Sequence, residues 1–341
     1  MKNITRPNIP IKPVVIFILL NCILSLSGCA NLRDQNTYIT RTGFYFDTVI
    51  TINIYDSNNE DILDKCFDMC SYYNNLFSKT VPDSDISKIN KAAANEDIPV
   101  SAETIEILKY AQKYHTLTTD FDITTEPLCE LWKLSGENET LPQDKQIKEL
   151  LPHINLMNLH INSENLTVSK TDSDLKVDIG ALGKGYIADR LKDYMISKGI
   201  KSALISLGGN ILTVGVKPNG DNFLIGIKKP FSQSNEVVKS LSICDMSVVT
   251  SGIYERYFTY DNKIYHHIMD PITGYPKDTD LYSATIISQS SLDGDALSTV
   301  CLLSGLKGSI NLINKIPDTE AVFITGDNKL YYTDNAQKYF K

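Results

Sequence analysis

The sequence predicts an α+β fold: one large domain with a mostly antiparallel sheet and flanking helices. Three observations lead there. Between residues 202 and 288, short β-branched, aromatic and aliphatic runs follow one another, with Asp261-Asn262 as a hairpin signal between two of them. Residues 59–77 and the stretch after Ser101 instead repeat apolar side chains at helical spacing. No internal repeat, low-complexity linker or change of composition divides the 341 residues.

In chain order, residues 38–55 alternate β-branched and aromatic residues through Phe46-Asp47-Thr48-Val49-Ile50 and read as one long strand. Ile62, Leu63, Cys66, Phe67, Cys70, Tyr73 and Leu76 then mark a helix over 59–77. Pro82-Asp83-Ser84-Asp85 is a turn able to cap a short helix to Asn90, and Ser101 caps a longer one bearing Ile105, Leu108 and Ala111. Short helices are expected over 127–132 and 142–150, and strands over 156–161, 166–169 and 175–179. A helix follows to Lys198. Strands are then expected over 203–207, 212–216, 223–227, 237–244, 247–250, 254–260, 263–269 and 281–288. Helices over 293–303 and 308–313 and two short strands complete the chain.

The first 28 residues stand apart. Lys2, Arg6 and Lys12 precede an almost wholly apolar run over 13–26, which has the length of a secretory h-region and is short for a membrane span. Leu26-Ser27-Gly28-Cys29 resembles the lipobox of bacterial lipoproteins. That implies cleavage before Cys29, a lipid on its sulfur, and a lipidated tether over 29–37 holding the domain at 38–341 outside the cell membrane. Without the leader the formal charge falls from −8 to about −11, and with no basic stripe in the chain nucleic acid is excluded as a partner. Cys66, Cys70, Cys129, Cys244 and Cys301 lie in apolar patterns without a Cys-x-x-Cys pair, and read as small core hydrophobes.

Four clusters carry chemistry. Val177-Asp178-Ile179-Gly180-Ala181-Leu182-Gly183-Lys184-Gly185 places a carboxylate, three glycines and a lysine at a strand-to-helix turn. Glycines let backbone approach a ligand closely, and a helix N-terminus offers unpaired N–H groups to an anion. It is neither a P-loop nor a dinucleotide fingerprint. Asp120-Phe121-Asp122-Ile123-Thr124-Thr125 sets two acids before an apolar helix, as caps or as ligand contacts. His266-His267-Ile268-Met269-Asp270-Pro271 ends a strand in a Pro/Gly turn, with the histidines on opposite faces. Asp295 and Thr299, four apart on a helix, suit either a hard cation or the helix dipole.

Taken in order, these clusters together with Ile205-Ser206-Leu207-Gly208-Gly209-Asn210, Ser251-Gly252 and Pro271-Ile272-Thr273-Gly274-Tyr275-Pro276 resemble the ApbE family of FAD:protein FMN transferases. Residues 44–48, 77–84 and 121–124 match its N-terminal blocks. The resemblance runs from about residue 38 to near the C-terminus, and implies a T-fold-like flavin transferase. FAD would be cleaved at its pyrophosphate, FMN moved to a Thr or Ser hydroxyl of a target protein, and AMP released, with Mg²⁺ required. Carried over by motif, the Ala181 carbonyl, Asp295 and Thr299 would hold the metal. Phe46, Thr80, Asp120, Phe121, Asp122, Asp178, Lys184 and Ile268 would contact FAD. The chain departs from the family at Phe46-Asp47-Thr48 (Met-Gly-Thr) and Asp122-Ile123-Thr124 (Asp-Pro-Thr). His267 is our candidate base for the acceptor hydroxyl. The acceptor implied is an exported flavoprotein subunit of a membrane redox complex. The same site could also serve an FAD pyrophosphatase, or flavin binding without chemistry.

Overall fold

The computed structural model describes residues 38–132, 141–232, 234 and 236–341; the leader over 1–28, the tether and Cys29 lie outside them. Eight strands form the main sheet: β1 (Ile39–Tyr45), β2 (Thr48–Ile54), β6 (Ser202–Leu207), β7 (Asn210–Gly215), β10 (Ser247–Gly252), β13 (Leu281–Ser288), β14 (Glu320–Thr325) and β15 (Leu330–Tyr332). They lie side by side in that order, and every pair is antiparallel. The α+β fold is therefore as the sequence predicts.

Both faces of the central strands are buried. On β13 and β14, Ala284, Ile286, Ala321 and Phe323 face the main core, while Ile287, Val322 and Ile324 face a second cluster. That two-sided burial explains why these strands read as continuous apolar runs. The second cluster is closed by the hairpin β8 (Phe223–Lys228) and β9 (Val237–Ile243), which contributes Phe223, Ile225, Ile227, Leu241 and Ile243.

The helical face carries the site. α1 (Glu60–Phe77), α2 (Asp85–Lys91) and α3 (Ala102–Leu117) are capped by Asn59, Ser84 and Ser101, whose side chains accept the N–H groups of Asp61, Ser87 and Thr104. α6 (Gly183–Ser197) packs between α1 and α7 (Ser291–Ile313), and α7 lies on β10 and β13. α7 is long and apolar enough to cross a membrane by length and composition, but its Ala296, Leu297, Val300 and Cys301 are core residues here. Gly305, at φ +68°, breaks it where the sequence separates two helices. A small sheet of β3 (Ile98–Pro99), β5 (Thr167–Lys170) and β4 (Leu159–Asn162) joins the same side. α4 (Glu126–Trp132), α5 (Asp144–Leu150) and the hairpin β11 (Tyr257–Tyr260) with β12 (Lys263–His266) share a satellite cluster of Leu128, Trp132, Ile147, Phe258 and Met269.

Several expectations are corrected. Residues 38–55 are two strands, because Phe46 and Asp47 both adopt positive φ (+53° and +55°) in a two-residue hairpin turn. The aromatic run Phe44-Tyr45-Phe46 carries strand-favouring residues straight into that turn, so composition does not show it. Residues 156–158 form a 3₁₀ turn rather than the start of a strand. The strands expected over 254–260 and 263–269 shorten to β11 and β12, since turns occupy their outer ends. Cys244 is exposed rather than core, because it sits beyond β9 next to Asp245, which has φ +54°.

Candidate active site

The segment 175–179 delivers the glycine turn. It is extended but joins no sheet, because side chains and a loop take its backbone groups. Asn90 accepts the Val177 N–H through Oδ1 (2.7 Å) and donates from Nδ2 to the Val177 carbonyl (2.9 Å). The Asp178 N–H donates to the Ile123 carbonyl (2.9 Å). The fully buried Lys170 ammonium donates to the carbonyls of Leu175 (2.8 Å), Ser173 (2.9 Å) and Asn90 (3.1 Å). The alternation is still that of a strand: Leu175, Val177 and Ile179 point into the core and Asp178 points out.

The turn then closes on itself. Asp178 Oδ1 accepts the Gly180 N–H (2.7 Å), the Ile179 carbonyl accepts the N–H groups of Leu182 and Gly183, and α6 begins. Lys184 folds back, its Nζ 3.2 Å from the Gly180 carbonyl. Asp178 Oδ2 meets Lys79 Nζ at 2.7 Å. Burial alone would raise the Asp178 carboxyl, but Lys79 and the Gly180 N–H hold it below the usual carboxylate range.

α7 is docked onto this turn by α6. The Asp189 carboxylate accepts the N–H groups of Ser291 (2.8 Å) and Leu292 (3.0 Å) and the Ser290 hydroxyl (3.0 Å), capping α7 from the neighbouring helix. Gly185 lies against the Ser291 backbone, where any Cβ would come within 2.3 Å of the Ser291 carbonyl oxygen. One turn into α7, Asp295 Oδ2 accepts the Gly185 N–H (2.6 Å) and Oδ1 accepts from Asn210 Nδ2 (3.3 Å). Thr299, a turn further on, is half-buried with its hydroxyl on the Asp295 carbonyl (3.4 Å). Asp295 is 3% exposed and, among the described residues, has no cationic partner within ion-pair distance. A buried carboxylate without a counter-charge is costly, and a hard oxygen donor set of this kind fits a divalent cation.

His267 directly follows β12. Its backbone N–H and its Nδ1 both face the Arg256 carbonyl, at 3.1 and 3.2 Å. A carbonyl only accepts, so Nδ1 carries the proton and Nε2 presents its lone pair. Burial and then the charges of Arg256, together with that of Lys184, push the ring down to about 4, leaving it neutral at physiological pH. His266, the last residue of β12, is buried, accepts the Ile268 N–H at Nδ1 (3.3 Å) and is likewise pushed down to about 4 by burial. Glu255 belongs to the same neighbourhood: burial raises its carboxyl, Lys184 opposes, and Asp295 adds repulsion.

The other predicted contacts are placed as follows. Asp120 pairs with Lys277 (2.7 Å), which also holds Asp270 (3.1 Å) in the Pro/Gly turn after β12. Phe121 is buried against Tyr114, and its carbonyl faces His115 Nδ1 at 2.8 Å. Asp122 accepts the Thr124 N–H and hydroxyl (2.7 and 2.6 Å) and the Leu156 N–H (3.1 Å), so it organises its own loop. Ile268 is core, with its carbonyl accepting the Lys277 N–H (2.8 Å). The Thr80 hydroxyl meets Ser78 Oγ at 2.9 Å, beside Lys79. Phe46 sits at the β1–β2 tip, its N–H donating to Asn74 Oδ1 (3.1 Å). That tip abuts the Gly208-Gly209-Asn210 turn through the Gly208 N–H, which donates to the Val49 carbonyl (3.3 Å). Asp178, Ala181 and Lys184 share one turn, Asp295 reaches it through the Gly185 N–H with Thr299 one helical turn further on, and His267 is within reach of the Lys184 charge, while Phe121 and Asp122 are engaged in local structure. No role is expected from the sequence for Lys79, Asn90, Glu126, Asp189, Asn210 or Arg256. Lys79, Asp189 and Asn210 lie inside the stretches 77–84, 177–190 and 205–210, where the motifs themselves are the signal, whereas Asn90, Glu126 and Arg256 lie outside every motif.

The model of the ApbE family matches residues 46–323. The chain belongs to the ApbE family. Among its relatives, the FAD:protein FMN transferase of Klebsiella pneumoniae is 34% identical over 296 residues, covering 86% of this chain and 91% of that protein. That of Treponema pallidum is 28% identical over 331 residues, covering 92% and 91%. The crystal structure of the ApbE protein from Thermotoga maritima superposes with a TM-score of 0.81 at 29% identity, over 89% of this chain and 100% of that one. The ApbE fold thus accounts for nearly all of the described domain.

Proposed function

We propose that this chain is an exported, lipid-anchored FAD:protein FMN transferase, which moves FMN from FAD to a Thr or Ser hydroxyl of an acceptor protein with Mg²⁺ present. The observation that carries the reading is the 2.6 Å contact of buried Asp295 with the Gly185 N–H, which sets an uncompensated carboxylate against a glycine turn bearing a lysine. The Ala181 carbonyl, Asp295 and Thr299 would hold the ion, which when bound neutralises pyrophosphate charge and aligns the leaving AMP. Lys184 adds a point charge for the phosphates, Gly180 and Gly183 leave room for the nucleotide, and Asp178 accepts from one of its donor groups. Phe46, Thr80, Asp120, Phe121, Asp122 and Ile268 are carried as further FAD contacts by motif. The acceptor hydroxyl attacks the FMN phosphorus, the pyrophosphate P–O bond breaks, and AMP leaves. His267 Nε2 takes the hydroxyl proton. Residues 1–28 act as the signal peptide and Cys29 carries the lipid. The acceptor is then a flavoprotein subunit of a membrane redox complex.

The test incubates the protein with FAD, Mg²⁺ and a candidate Thr-containing acceptor and reads the products by mass spectrometry. An FMN adduct with stoichiometric AMP, lost on adding a chelator and in Asp295→Ala, is the expected result. Free FMN and AMP without adduct would make the protein an FAD pyrophosphatase. Full-rate transfer by Asp295→Ala would overturn the metal assignment.

A further inference from the structure

Asp178 shares its lysine with a second carboxylate. Lys79 lies in the loop after α1, Glu126 opens α4, and Asp178 precedes the glycine turn, so three distant segments meet on one ammonium. Lys79 Nζ is 2.6 Å from Glu126 Oε2 and 2.7 Å from Asp178 Oδ2. Exposure divides the trio: the Glu126 side chain is 3% exposed, against 33% for Lys79 and 35% for Asp178. A ligand approaching from solvent therefore reaches Asp178 and the flank of Lys79, while Glu126 is shielded from it. Burying a carboxylate here is expensive, and α4 could have been started by an ordinary capping residue without it.

Charge counting shows what the buried acid does. With Glu126 ionised, as it is above about pH 7, the trio carries one net negative charge. With a neutral residue in its place, Lys79 and Asp178 would close into a neutral pair. The two oxygens of Asp178 offer four lone pairs, of which Lys79, the Gly180 N–H and the neighbouring Glu126 carboxyl take three at most, so a direction is left for a donor. We infer that Glu126, acting through Lys79, is a positioning residue for Asp178: it anchors the lysine from behind and leaves Asp178 charged and oriented to accept from a donor group of the flavin nucleotide. This rests on the flavin-transfer reading above.

The test is a double-mutant cycle on FAD binding by the full-chain protein, followed through flavin fluorescence, with thermal melts confirming that each variant is folded. Glu126→Gln is expected to weaken FAD binding about tenfold, the order of one charge-assisted hydrogen bond. Lys79→Met should do at least as much, and Lys79→Arg should restore most of the affinity. In an Asp178→Asn background Glu126→Gln should then have no further effect, since its action runs through Asp178. Wild-type affinity in Glu126→Gln overturns the inference. So does an equal loss in both backgrounds, which would make Glu126 a general structural group. If Glu126→Gln fails to fold, Glu126→Asp and Lys79→Met carry the same cycle. Wild-type protein that does not bind FAD overturns the flavin reading itself, a result distinct from either of these.

Discussion

Two glycines of one motif are expected to behave oppositely. At Gly185 a Cβ would lie 2.3 Å from the Ser291 carbonyl oxygen and 2.6 Å from both the Ser291 carbonyl carbon and Leu292 Cα. All three are backbone atoms of the α7 start, so no side chain can swing away; α6 and α7 must separate by about 1 Å to reach ordinary contact. That shift also stretches the 2.6 Å bond from the Gly185 N–H to Asp295. Overpacking and a weakened charged hydrogen bond together give roughly 3 kcal/mol for Gly185→Ala. In a domain of this size that lowers Tm by roughly 6 °C. Transfer should fall further than stability alone dictates, because Asp295 moves with α7. At Gly183 a Cβ meets nothing within 4 Å, and the residue opens α6 without positive φ. Gly183→Ala should therefore leave stability unchanged or raise it by about 0.5 kcal/mol, through the lower entropy of the unfolded chain. If that glycine leaves room for the nucleotide, FAD affinity falls in Gly183→Ala while the fold is intact. Melting curves and FAD titrations on both variants decide the matter. A Gly185→Ala protein with wild-type Tm and transfer would refute the close-packing argument.

Three further outcomes are expected. His266 is held near 4 in the fold against 6.5 ordinarily, so the folded state refuses a proton that the unfolded chain accepts. Its contribution to stability is constant above about pH 6.5 and falls as pH drops towards 4. Glu126, pushed up to about 7 by burial, works in the opposite sense, losing stability as pH rises from 4.5 to 7. The observable is thus the Tm of wild type minus that of His266→Gln, which should be smaller at pH 5 than at pH 7.5; a constant difference would contradict the assignment. His267→Ala should bind FAD normally but transfer FMN about a hundredfold more slowly, the usual scale of a lost general base, with near-normal turnover refuting that role. Lys170→Met leaves three buried carbonyls without their donor, and a loss of about 3 kcal/mol in urea unfolding is expected at unchanged m; a loss below 1 kcal/mol would show that the 175–179 segment finds other partners.

What the sequence made legible, and what it hid, follows from the range of the interactions involved. Capping is local, so Asn59, Ser84 and Ser101 announce their helices, and two-sided burial makes β13 and β14 readable as apolar runs. The Phe46-Asp47 turn is local too, yet it lacks the Gly or Asn that normally supplies positive φ, so the residues spell one strand where a hairpin stands. Residues 175–179 have the alternation of a strand because their side chains face core and solvent in turn. Whether a sheet exists depends on who takes the N–H and C=O groups, and here Asn90, Lys170 and Ile123 take them from elsewhere in the chain.

The same distinction runs through the site. Its glycine turn and the Asp295/Thr299 pair are visible because their spacing is itself the signal. The groups that hold them are known only by their partners: Asp189 caps α7 from α6, Asn210 donates to Asp295 across 85 residues, and Glu126 reaches Lys79 across 47. A motif therefore identifies the atoms that would touch a ligand, while the charge and orientation of those atoms are set by partners that only the folded chain brings near. Asp178 is the sharpest case. Its position in the motif is plain, but its persistence as a carboxylate beside a lysine depends on how that lysine is divided with a buried glutamate. Substitutions at Glu126 should therefore alter flavin affinity without touching any residue of the motif itself.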